Sequence, residues 1–174
     1  MYYILSQISG YVALLLICVS YFCKNKNHFL IYQTIADIGY ALAYLFINVW
    51  VAGIITIFSS LRCVVFYICE NRNIKHKAVS LPIFISIYLI ITIMFWQGYS
   101  DILPLLTAIM YTVIYAIKHT QTIRYLSIIP SVALCIYNIC FRLYSSAILD
   151  LFEIIVLIVS IIYFIKKNKN TQDV

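Results

Sequence analysis

Along the whole chain, apolar runs long enough to cross the roughly 30 Å hydrocarbon layer of a bilayer follow one another with only short polar breaks. They fall near residues 4–22, 29–47, 51–69, 79–96, 102–117, 125–141 and 146–165. Between them lie CKNKNH, INVW, ENRNIKHK, QGYSD, KHTQTIR and RLYS, and after the last comes KKNKNTQDV. The runs are continuous rather than alternating, which excludes a transmembrane β-barrel. Of 174 residues, 64% are hydrophobic and 10% charged, too few charges to cover a soluble domain of this size. The expected fold is therefore an all-α polytopic membrane protein of seven transmembrane helices, with antiparallel neighbours. The first run lacks a basic leader and an A-x-A-like site, so it is expected to stay as a span.

Charge placement supports the same count. With seven spans, the breaks at 23–28, 70–78 and 118–124 share a side with the tail. They gather Lys24, Lys26, Arg72, Lys75, Lys77, Lys118, Arg124, Lys166, Lys167 and Lys169. Arg62 lies within a span, and only Arg142 reaches the other side. Cytoplasmic loops are enriched in Lys and Arg, so this asymmetry predicts N-out, C-in; six or eight spans would scatter the charges. Trp50 and Trp96 fall at the outer interface, where amphipathic rings are favoured.

The net charge of +6 follows from that bias and fits contact with anionic lipid headgroups; the lipid bilayer is the first partner expected. No basic–aromatic motif accompanies it, which argues against nucleic acid. The cysteines 18, 23, 63, 69, 135 and 140 form no C-x-x-C, and His28, His76 and His119 lie in the basic breaks. The cysteines read as small packing residues rather than a zinc site or a disulfide framework. Walker, dinucleotide-binding and H-E-x-x-H motifs are absent, so no cofactor is expected.

Three spans, then one, then three suggest a duplication: residues 1–73, a linker helix over 74–100 lying against lipid, and residues 101–170. Equivalent spans run the same way, which makes the repeats parallel about an axis along the membrane normal. On the second span Gln33, Asp37, Tyr40 and Tyr44 fall on one helical face, and on the sixth Ser131, Cys135, Asn138 and Arg142 repeat the spacing. A shift of 94 residues superposes Asp37 on Ser131 and Tyr44 on Asn138.

The intramembrane charges are the sharpest chemical feature. At about 1.5 Å rise per residue, Asp37 and Arg62 each lie roughly 10–12 Å from the cytoplasmic end of their spans, so adjacent helices can pair them. Either charge alone in hydrocarbon costs about 2.5 kcal/mol or more. The pair reads equally as a structural lock between two helices or as a gate, and Arg62 is long enough to snorkel inward. A second polar layer is expected nearer the outside, with Asp150 and Glu153 three residues apart on the last span and Asn138 on its neighbour. Close carboxylates favour a shared proton; the alternative places both acids in a first helical turn at the water interface. Asn138 alone is more often glue between helices. Three intramembrane acids against one arginine, or two if Arg142 reaches in, suit a cationic or zwitterionic substrate or a proton-coupled cycle.

The opening SQISGYVALLLICVSYFCKNKNHF and AG-x8-R (Ala52, Gly53, Arg62) resemble the bacterial inner-membrane YgjV family. So do Leu103-Pro104, Thr122-x-Arg124, Asn138 and Asp150, and the resemblance covers nearly the whole chain. More distantly, PLLTAIMYTVIYAIKHTQTIRYLSIIPSVALCIYNICFRLY is similar to the second repeat of SWEET and PQ-loop transporters. That resemblance implies substrate between two three-helix bundles, with Asn138 in the pocket and Pro104 near a bend. The PQ dipeptide is absent and Tyr44 stands where Asn138's counterpart is expected, so sugar specificity is not implied. Pro104 and Pro130 are candidate hinges, although a proline early in a helix is also simply tolerated.

The expected function is thus a small-solute transporter, with Asp37 and Arg62 as an inner gate or pair. Asn138, Asp150, Glu153 and Tyr44 would bind a small polar metabolite. The alternative is a non-transporting membrane component whose charges hold helices or partners together. An intramembrane enzyme ranks third, because no His or Ser motif flanks the acids. A duplicated unit is able to work as a monomer; the sequence does not specify the oligomeric state.

Overall fold

Leu, Ile and Val crowd every helix, and in an apolar setting the backbone satisfies its hydrogen bonds within one segment only as a helix. The computed structural model describes residues 2–46, 48–72, 77–96, 98–140 and 144–170. These form α1 (Tyr2–Phe22), α2 (Lys26–Phe46), α3 (Trp50–Asn71), α4 (Lys77–Met94), α5 (Ile102–Ala116), α6 (Thr120–Cys140) and α7 (Tyr144–Asn170). A short 3-10 turn, Tyr99–Asp101, precedes α5, and no strand occurs among the described residues. All seven expected helices are present, with boundaries shifted by at most five residues.

Among the described residues, four segments are long and apolar enough to cross a membrane: Ile4–Phe22, Lys26–Phe46, Trp50–Asn71 and Ile148–Lys167. Ser80–Met94 and Ile102–Ala116 are apolar but shorter. At 1.5 Å per residue each reaches about 22 Å.

The tight α2–α3 hairpin is made by Asn48, which takes φ 61°. Asn tolerates this left-handed conformation because its short side chain bonds locally. The amides of Asn48 and Val49 donate to the carbonyls of Leu45 and Tyr44 and close the end of α2.

The principal packing pairs follow the order α1, α2, α3, α5, α6, α7 and return from α7 to α1, with α4 against α3 and α5. Small residues let α1 and α2 approach closely. A Cβ on Gly39 would stand 3.0 Å from Ala13 Cβ. Ser9 Oγ donates to the Gly39 carbonyl at 2.6 Å and Ser6 Oγ to that of Ala43 at 2.9 Å. The main core draws on every helix of that closed order, with Tyr21, Phe29, Cys63, Tyr115, Ile123 and Leu157 at its centre. A second core packs Phe84, Tyr88 and Ile91 of α4 on Val51, Ile55 and Ala108. The linker helix therefore buries one face in protein, while Ile83, Ile90, Ile93 and Met94 point outward.

Candidate functional site: a buried polar network

Most side chains facing the middle of the bundle are apolar, and the exceptions meet one another. Asp37 of α2 and Arg62 of α3 come together, with Arg62 Nη2 4.0 Å from Asp37 Oδ2. Arg62 is held more closely by α5, where Nη1 donates to Thr112 Oγ1 at 2.9 Å and to the Ala108 carbonyl at 3.4 Å. Its guanidinium also lies over the Tyr115 ring, 5.0 Å from the centroid. An arginine expected to lock α2 to α3 thus bridges α3 to α5 as well. Cys63 Sγ, 3.7 Å from Asp37 Oδ2 and 3.6 Å from Arg62 Nη2, sits between the two charges. Gln33, one turn away on α2, is buried and has its Oε1 3.3 Å from Ser20 Oγ of α1.

From Tyr115 the chain of contacts runs through Tyr111, whose ring lies 5.5 Å away. Tyr111 Oη is 3.0 Å from Ser131 Oγ on α6. The single hydroxyl hydrogen of Ser131 is shared between the Ser127 carbonyl at 2.9 Å and Glu153 Oε1 of α7 at 3.2 Å. Tyr21 of α1 completes the circuit, its hydroxyl donating to Glu153 Oε1 at 2.8 Å. Each helix of the closed packing order contributes to one buried network.

The two-layer expectation is revised by this geometry. Glu153 turns into the same network as Asp37, and its carboxylate bonds Tyr21 and Ser131. Asp150, one turn away, is half-buried. A three-residue step leaves the two carboxyls about 60° apart around α7, so one can point into the bundle while the other stays nearer its edge. Tyr44 is half-buried and stacks on Tyr40 with centroids 6.4 Å apart, and its Cβ faces Gly53 of α3. Pro104 is the third residue of α5, where no helical bond is lost. Pro130 is buried inside α6, which continues through it. The side chains of Asn138 and Arg142 lie outside the described residues.

Lys26 and Arg124, expected to face lipid headgroups, are instead 5% and 2% exposed. α2 and α6 begin earlier than their apolar runs suggest, so both cations stand on helices, not in loops. Arg124 donates from Nε to the Tyr21 carbonyl and from Nη2 to the Cys23 carbonyl, each at 2.7 Å, and lies 4.0 Å over the Phe164 ring. Lys26 donates to the Ile117 carbonyl and pairs with Glu70 at 3.3 Å. Each cation thus caps the carbonyl end of a helix in the other half of the chain, where the helix dipole favours positive charge. A sequence cue existed for Lys26: a cation in a first helical turn opposes its own dipole and needs another partner. Beside Arg124, burial pushes the Cys23 thiol up from its ordinary range. Among the described residues, no three His, Cys, Asp or Glu side chains are grouped as a metal site requires.

A family model for Imp-YgjV, described as bacterial inner membrane protein, matches residues 4–168. No curated protein and no solved structure matches the chain.

Proposed function

The chain belongs to the Imp-YgjV family of bacterial inner membrane proteins, and within that frame we propose that it is a small-solute transporter. Two three-helix halves, α1–α3 and α5–α7, joined by α4, alternate access to a site between them. All seven helices cross, with the N-terminus outside and the C-terminus in the cytoplasm. The observation that carries this reading is the buried network from Asp37 and Arg62 to Glu153, built by both halves. Ionisable groups in the middle of an apolar bundle are costly, and they commonly mark a substrate or ion path.

Two features of the packing support a paired-half machine. Exchanging α1–α3 with α5–α7 converts the α3–α5 contact into the α7–α1 contact, and both occur. The exchange also relates the two caps, since a cation early in α2 holds the end of α5 and one early in α6 holds the end of α1. These ties form an inner clasp between the halves, one layer further in than Arg62 and Asp37. The favoured substrate is a small cationic or zwitterionic metabolite.

A thermal-shift screen of such metabolites on purified protein, followed by liposome uptake of each hit, tests the proposal. A saturable rise in melting temperature with uptake that Arg62→Ala and Glu153→Gln abolish is expected. A protein that binds and moves none of them supports the second reading, a membrane component with structural charges. That reading is favoured by one observation: the hydrogen bonds of the Arg62 Nη groups and of Glu153 Oε1 are already made within the fold.

A further inference from the structure

Not every polar group in the network is satisfied. Tyr115 Oη, Ser127 Oγ and Arg62 Nε are buried with no hydrogen-bond partner. Their residues are 1%, 0% and 2% exposed. They come from α5, α6 and α3, and helix register sets them at one level of the bundle. Tyr111 and Ser131 face each other across antiparallel α5 and α6. One turn towards the basic end on both helices lie Tyr115 and Ser127, which the same register brings to one level. Arg62 lies over the Tyr115 ring. Buried polar groups are almost always paired, and a cluster of unpaired ones needs an occupant.

We propose that Tyr115, Ser127 and Arg62 form a carboxylate seat, and that the solute is a small zwitterion whose ammonium end meets Glu153. The proposal deepens the transporter reading and rests on it. The unmet nitrogen of Arg62 is only a donor, and each hydroxyl can donate once, so the seat offers up to three hydrogens and one permanent positive charge. That is the complement of a carboxylate, and guanidinium suits it best because its planar donors stay charged in a dry site. The next turn presents Glu153, which bonds two hydroxyls and has no ion pair among the described residues. Ser127 and Ser131 mark the two levels, about 6 Å apart along the helix at 1.5 Å per residue. A short chain with its carboxylate and ammonium at opposite ends matches that interval.

The test uses the whole chain in nanodiscs and three unbranched four-carbon probes: 4-aminobutyrate, butyrate and butylamine. Calorimetry is expected to rank the zwitterion first. Tyr115→Phe and Ser127→Ala each remove one hydroxyl, and each should weaken 4-aminobutyrate and butyrate about tenfold or more, leaving butylamine unchanged. Glu153→Gln should do the reverse, weakening 4-aminobutyrate and butylamine. Because the two hydroxyls are unpaired, both variants should melt no lower than wild type without ligand. Lower melting with unchanged binding means the hydroxyls hold a structural water, and it overturns the seat. So does butylamine binding as tightly as the zwitterion, or no binding by any probe. Uptake of 4-aminobutyrate at equal rates in wild type and both variants removes the seat and leaves the transporter. Binding with the expected mutational pattern but no uptake of any solute keeps the seat and removes transport.

Discussion

At the scale of single residues, Arg62 shows how a buried charge is tolerated. Thr112, the Ala108 carbonyl and the Tyr115 ring surround it on α5, and Asp37 stands at the limit of ion-pair distance. Removing one member of a buried pair leaves the other unsolvated, which costs about 3–5 kcal/mol. Arg62→Ala should therefore lower unfolding free energy by about that amount, and Asp37→Ala should do so as well. The double variant should lose less than the sum, as read by denaturant titration in detergent. Additive losses would mean that Thr112 and Tyr115, rather than Asp37, carry the arginine. The depth of the two charges was legible in the sequence because both are rare in apolar spans. The partners on α5 were not: Thr112 and Tyr115 are ordinary residues in a helix, and only the packing of α3 on α5 gives them a role. Glu153 was legible as an intramembrane acid, but its direction was not, since a spacing of three residues leaves the facing helix undecided.

At the scale of helices, the ends carry as much information as the middles. Apolar runs located every helix, yet they missed the first turns of α2 and α6, where Lys26 and Arg124 interrupt hydropathy and turn inward. Hydropathy averages over a window, so a cation that caps another helix reads as loop. Arg124→Gln removes two charge-assisted bonds to the end of α1 and should cost about 2–4 kcal/mol. Amide hydrogen exchange should then quicken at the last turn of α1 and stay slow in its centre; an unchanged profile would deny Arg124 its capping role. The α1–α2 contact makes a second element-scale prediction. Gly39→Val places a branched side chain where even a Cβ would stand 3.0 Å from Ala13. Overpacking of this kind costs about 1–3 kcal/mol, so the variant should melt lower, and pairing it with Ala13→Gly should recover part of the loss.

At the scale of the whole molecule, connector lengths and helix count follow from the sequence, but which helices touch does not. Hydropathy treats α3 and α5 as strangers separated by α4, whereas their packing, with that of α1 on α7, closes the bundle. The two shorter apolar helices, Ser80–Met94 and Ile102–Ala116, test the seven-crossing arrangement most severely. α5 reaches about 22 Å and the full α4 about 27 Å, both less than the roughly 30 Å hydrocarbon layer. Flanking Trp96 and Tyr99, in edge contact at 6.2 Å, can anchor that hairpin at one interface while the bilayer thins to meet it. If α4 and α5 do cross, the basic ends of all helices share one face, as the placement of Lys and Arg requires. A reporter fused at the C-terminus should then read cytoplasmic, and one inserted in residues 97–101 should read external. If the hairpin instead dips without crossing, the insertion at 97–101 reads cytoplasmic while the C-terminus is unchanged, because removing two crossings preserves the direction of α6 and α7. That outcome would leave α5 re-entrant.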